Sequence, residues 1–72
     1  MIRPVFEKKL VRAGEMRSFQ ISVGPIGWEA AAHYDQHIAW RHRHEDWHQV
    51  ERTRMRFDLE IAALRREGWL ES

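Results

Sequence analysis

The sequence predicts an α+β fold. An antiparallel sheet of three to four strands, arranged as a meander, precedes one long C-terminal α-helix packed on one sheet face. Three observations predict it. Apolar and polar residues alternate through much of the first forty-odd positions, short turn-forming segments divide that stretch, and a helical apolar pattern follows. Seventy-two residues favour a single compact domain over 1–72, because one core needs most of so short a chain.

Four strands are predicted, at approximately 5–12, 16–23, 28–34 and 38–44. The second strand alternates most clearly, since Phe19, Ile21 and Val23 are separated by polar residues. The segment 24–27 contains two glycines and one proline, and it ends the second strand because Pro25 has no N–H to donate to a strand ladder. Connections this short are typical of antiparallel neighbours.

The third and fourth strands each place aromatic residues on one side. On the third strand this side carries Trp28, Ala30, Ala32 and Tyr34, and on the fourth it carries Ile38, Trp40, His42 and His44. If the helix covers that side, the core consists of Phe19, Ile21 and Val23 together with Trp28, Tyr34, Ile38 and Trp40. The alternative is that the run of alanines at 30–32 begins a helix.

The helix is predicted at approximately 47–67. Asp46 is a favourable N-cap, and Gln49 has the spacing of a capping box. Gly68 is a suitable residue to follow the helix, and Arg65 and Arg66 precede it where the helix dipole favours cations.

Two apolar stripes run along this helix. Trp47, Val50, Phe57, Ile61 and Leu64 form the stripe expected to cover the sheet, with Arg54 in its middle. Met55, Leu59 and Ala62 form a second stripe roughly opposite.

Two interpretations of the second stripe are open: scattered exposed residues, or a homodimer interface that Trp69 and Leu70 also join. A core this small and without disulfides favours the homodimer.

Composition excludes several classes of function. The formal net charge of +1 argues against DNA binding by bulk charge, and the absence of cysteine excludes disulfides and thiol nucleophiles. The sequence contains no apolar run long enough to span a membrane, and its first residues do not resemble a secretory signal. We therefore expect a cytoplasmic protein. Neither a cofactor nor a small-molecule substrate is predicted.

The histidines raise the question of a metal site. Positions 44–48 match the letters H-E-x-x-H of zinc proteases, but they straddle the predicted strand-to-helix junction, so an accidental match is expected. A simpler metal site remains as a third hypothesis, in which His42, His44 and His48 converge on Zn²⁺ or Ni²⁺. With no other catalytic constellation, we expect a protein that is not an enzyme.

Two binding functions remain. Arg41 and Arg43 share one side of the fourth strand, and Arg52 and Arg56 form a strip on the helix, which suggests nucleic acid contact. Interleaved acidic residues weaken that hypothesis. The predicted order of elements resembles the meander-then-helix unit of the Pur and Whirly single-stranded nucleic-acid-binding proteins, a similarity of element order that no shared residue motif accompanies. The alternative is a protein-assembly module that docks through the second helix stripe.

Overall fold

The computed structural model describes residues 3–72 and confirms the α+β class with an antiparallel meander and one helix. The elements are β1 (Arg3–Arg12), β2 (Glu15–Gly24), β3 (Gly27–Tyr34), β4 (His37–His44), α1 (Trp47–Arg66) and β5 (Leu70–Glu71). Each of the four predicted strands falls within an observed one. The alternative that the alanine run begins a helix is wrong, since those residues lie in β3.

All neighbouring strands are antiparallel, in the order β4-β3-β2-β1-β5. The two-residue strand β5 was not predicted. It forms where the chain returns from the helix, and it pairs Leu70 with Val11 and Glu71 with Leu10. The backbone N–H of Ser72 extends this pairing by donating to the carbonyl of Lys9 at 2.8 Å.

One glycine is required where β3 begins. Gly27 has a φ of +127°, and a Cβ built on it would lie 2.6 Å from the carbonyl oxygen of His44. The start of β3 and the end of β4 therefore approach each other more closely than any other residue type allows.

Capping hydrogen bonds fix both ends of α1. The Asp46 carboxylate accepts a hydrogen bond from the N–H of His48 at 2.9 Å, which confirms the predicted N-cap. Gln49 accepts from the N–H of Glu45 at 3.3 Å, so it satisfies the residue before the cap instead of completing the expected capping box. At the other end, Gly68 at φ +98° and the following Trp69 donate back to the carbonyls of Arg65 and Leu64 in a Schellman motif.

The helix packs across one face of the sheet, here called the helix-covered face. Its buried apolar residues are Phe6, Leu10, Phe19, Ile21, Ala30, Val50, Phe57, Ile61, Leu64 and Trp69, with Trp28 and Trp40 half-buried against them. Phe57 lies at the centre, because its ring centroid is 5.1 Å from that of Phe19 and 5.8 Å from that of Trp40. Arg54 remains exposed, and its guanidinium lies 5.2 Å from the Phe6 ring centroid.

A β-bulge corrects the predicted side of Ile38. Ala32 pairs with Trp40 and His33 with Ile38, which leaves Ala39 as the extra residue on β4. Ile38 therefore shares a face with His33, away from the helix, and is exposed. Tyr34 also lies outside the core, because it ends β3 with its ring beside the guanidinium of Arg17, 5.5 Å away.

The opposite side of the sheet, here called the open face, faces away from α1. Cross-strand pairing places Glu7, Lys9, Ser18, Gln20, Glu29, Arg41 and Arg43 on it. Within residues 3–72, no helix has the length and apolar character needed to cross a membrane.

Candidate functional site

The second apolar stripe of the helix is exposed in this chain. Met55 and Leu59 are 68% and 72% exposed, one turn apart, and Ala62 on the next turn is half-buried. We call these three residues the outer stripe. A shallow groove of about 460 Å³ lies beside Met55 between the charged side chains of that side of the helix. The outer stripe is therefore an apolar surface with a charged border.

The predicted interface does not form one continuous surface. Trp69 is only 3% exposed. The Schellman turn returns the chain to the sheet, so the Trp69 ring lies in the core between the helix and the helix-covered face. Leu70 is exposed, but its pairing with Val11 places it on the open face, on the other side of the sheet from the outer stripe. Of the five predicted interface residues, only Met55, Leu59 and Ala62 remain together.

The four arginines are also divided. Arg41 and Arg43 project from β4 on the open face, whereas Arg52 and Arg56 lie on the helix, so the sheet separates the two pairs. Arg41 is paired with Glu29, with 3.1 Å between its Nη2 and the carboxylate Oε2. Arg43 is exposed on the same face.

The aromatic rings of the strands do not accompany these arginines. Trp28 and Trp40 face the helix and are half-buried against the core, as expected if that side of the strands is covered. The described part of the open face carries the cations Lys9, Arg41 and Arg43 and the carboxylates Glu7 and Glu29. This face therefore carries a small excess of positive charge that suits phosphate contacts. The tryptophans of β3 and β4 lie on the helix-covered face, so they are not placed to stack on bases bound at the open face.

The predicted metal site is not formed. His44 ends β4 and is buried, whereas His48 lies in α1 beside the groove of the outer stripe. Although the rings of His42 and His44 are 4.9 Å apart, no group of three potential ligands converges anywhere in residues 3–72. The H-E-x-x-H letters do straddle the strand-to-helix junction, which prevents the two histidines from sharing a helical face.

His44 instead has a structural environment. Its Nε2 lies 2.7 Å from the hydroxyl oxygen of Thr53, and its Nδ1 is buried without a hydrogen-bond partner among the described residues. Burial lowers the pKa of His44 below its ordinary value, and the neighbouring His42 lowers it further. A neutral His44 therefore joins the end of β4 to the helix.

Arg17, a charged residue on the helix-covered face, was not singled out from the sequence. Arg17 lies in the same alternation as Phe19 and Ile21, so it faces the helix-covered side. The sequence does show a basic residue at a position that shares the alternation of Phe19 and Ile21. The surroundings of Arg17 could not be predicted, because they include Trp69, which follows it by more than fifty residues. The guanidinium of Arg17 lies 6.0 Å from the Trp69 ring centroid and 5.5 Å from that of Tyr34.

Tyr34 carries a local electrostatic effect in the same region. The Glu15 carboxylate raises the pKa of the Tyr34 phenol, with smaller contributions in the same direction from desolvation and from the charge of Asp35. Arg17 acts in the opposite direction, which is consistent with its position beside the ring. The net effect favours the neutral form of the phenol.

No protein-family model matches this chain, and neither a curated protein nor a solved structure matches it significantly.

Proposed function

We propose that this protein is a small non-catalytic assembly module that forms a homodimer through the outer stripe of α1. The observation that carries the proposal is the exposure of Met55 and Leu59 on adjacent turns of a helix whose opposite side is buried. An amphipathic surface helix normally presents polar residues there. A second copy of the chain would cover the stripe.

The charges that border the stripe favour an antiparallel pair of helices. Glu51 precedes Met55 by four residues, and Arg66 follows Ala62 by four, so all four share one side of the helix. A two-fold axis midway along the stripe would bring Met55 opposite Ala62 of the partner subunit. The same axis would bring Glu51 opposite Arg66 of the partner subunit at both ends of the contact.

The expected dimer is weak. Burying a Met or Leu side chain contributes about 1.5–3 kcal/mol, and two such residues on each protomer together contribute roughly 6–12 kcal/mol. Association itself costs about 4–15 kcal/mol, which is of the same order. The dissociation constant should therefore lie at about micromolar or above.

Light scattering coupled to size-exclusion chromatography tests the proposal. The mass should rise from 8.7 kDa towards twice that value as protein concentration increases from micromolar to millimolar. Leu59→Glu places a charge in the contact and should hold the protein at the lower mass. Leu70→Glu is the matched control, because Leu70 is exposed to a similar extent, 69%, on the other side of the sheet.

Either of two results would contradict the homodimer. One is a wild-type mass of 8.7 kDa at millimolar concentration. The other is an association that Leu70→Glu abolishes and Leu59→Glu leaves intact, which would move the contact to the open face.

A second candidate function is nucleic acid contact on the open face. It is favoured by the exposure of Arg41 and Arg43, two positions apart on an edge strand that α1 does not cover on this side. Such contacts are electrostatic and should weaken steeply with salt, unlike the apolar contact of the outer stripe.

Amide chemical shifts measured with single-stranded DNA and RNA oligonucleotides at low salt test this candidate. The signals of β4 should move, and Arg43→Gln should reduce the movement. Arg52→Gln should not, because Arg52 lies on the helix side. Unchanged β4 signals would eliminate the candidate.

A further inference from the structure

A cleft opens at the edge of the sheet, between β4 and the flank of α1. Its volume is about 140 Å³, which corresponds to about four or five water molecules. The lining comprises Arg17, Ala32, Ala39, Trp40, Arg56, Phe57 and Glu60. The two alanines leave room for the cleft, and the indole ring of Trp40 forms one wall. The three charged residues of the lining are Arg17, Arg56 and Glu60.

The Nε–H group of Arg17 has no acceptor among the described residues. Its Nε is buried, and no hydrogen-bond partner for this atom exists among residues 3–72. None of the salt bridges formed by those residues involves Arg17, and its guanidinium instead lies near the rings of Tyr34 and Trp69. A buried ionised donor without an acceptor is unfavourable, so this side chain is suited to receive an anionic oxygen.

Arg56 supplies a second guanidinium from the helix. Its central carbon lies 5.5 Å from the Trp40 ring centroid. Its contact with Glu60 is long, at 3.5 Å between Nε and Oε1, and leaves the two terminal amino groups for an incoming acceptor. The lining of the cleft therefore includes two arginines and one glutamate, which leaves an excess of positive charge.

We propose that this cleft binds a small oxyanion, a carboxylate or a phosphate group, held between Arg17 and Arg56 beside the Trp40 ring. Planar guanidinium groups match both kinds of oxyanion with paired hydrogen bonds. The sequence predicted no small-molecule substrate, so this proposal goes beyond the sequence-based expectations. It does not depend on the homodimer, because the cleft lies on the β4 side of the helix, apart from the outer stripe.

Titration of the full chain with inorganic phosphate, and separately with acetate, tests the proposal by NMR. Ionic strength is held constant with sodium chloride. We expect saturable shifts of the Trp40 indole N–H and the Arg17 Nε–H with at least one anion, and the comparison of the two anions identifies the preferred group. Arg56→Gln should weaken binding about tenfold or more, because it removes one charge-assisted contact.

Two further variants separate recognition from general charge. Glu60→Gln removes the carboxylate that competes for Arg56, so it should strengthen binding, an effect that a damaged fold would not produce. Arg52→Gln removes a helix arginine that does not line the cleft, and it should leave the affinity unchanged. The proposal is overturned if neither anion produces a saturable shift up to about 100 mM, or if Arg52→Gln weakens binding as much as Arg56→Gln.

Discussion

The two sides of α1 carry similar residues in opposite environments. Phe57 and Ile61 on the inner side are buried, whereas Met55 and Leu59 on the outer side are among the most exposed large apolar residues of the chain. Both pairs follow helical spacing. The difference arises because the chain supplies one sheet, and a sheet covers only one side of a helix. Periodicity therefore identifies the sides of a helix, and what lies against each side decides which one is core.

The largest expected effect comes from Phe57, which contacts Phe6, Phe19 and Trp40. Phe57→Ala should lower the free energy of unfolding by about 3–5 kcal/mol, since it removes apolar contacts and leaves a cavity. Urea denaturation followed by circular dichroism measures it. A loss below about 1 kcal/mol would show that the inner side is not the core of this fold.

A smaller effect should follow from pH. Because the pKa of His44 is lowered in the folded state, its stabilising contribution is complete above the unfolded value of about 6.5. It is lost as pH falls below that value towards the folded pKa, with a slope of at most about 1.4 kcal/mol per pH unit. Urea denaturation between pH 7.5 and pH 5 measures this dependence.

Two variants assign that pH dependence to the buried histidine at the end of β4. His44→Gln should flatten it, because the buried imidazole beside Thr53 is removed. His48→Gln should retain it, because His48 is exposed on the outer side. An identical pH profile for wild type and His44→Gln would contradict the assignment.

The smallest effect is expected on the outer side. Leu59→Ala in dilute protein should change the free energy of unfolding by no more than about 0.5 kcal/mol, because the side chain is exposed in the single chain. Denaturation at low micromolar concentration measures it, and Phe57→Ala is the natural comparison. A loss comparable to that of Phe57→Ala would mean that Leu59 is already buried at this concentration.

Local patterns were sufficient to predict most of the fold. The alternation around Phe19 predicted β2, and Asp46 and Gly68 marked the ends of the helix correctly. These signals are short in sequence, because a strand alternates or a helix caps within a few residues.

Long-range contacts account for what the sequence did not predict. Trp69 is buried and β5 forms only because the chain returns to β1, a pairing across sixty residues that no local pattern encodes. The bulge at Ala39 moved Ile38 to the other face, since one extra residue reverses alternation. The candidate sites depend on contacts of the same kind. The sheet separates Arg41 from Arg56, and Arg17 lies beside Trp69, which is distant in the sequence.

The bulges at the sheet edges affect how copies of this protein can meet. On the outer strand β4, Ala39 interrupts the free hydrogen-bonding groups, and Arg41 and Arg43 add charge. On β1, the extra residue Val5 beside Pro4 interrupts the ladder in the same way. Irregular, charged or proline-bearing borders resist the strand-to-strand stacking that leads to fibrils. The free edges of this sheet are therefore poor templates for strand addition by a second copy of the chain.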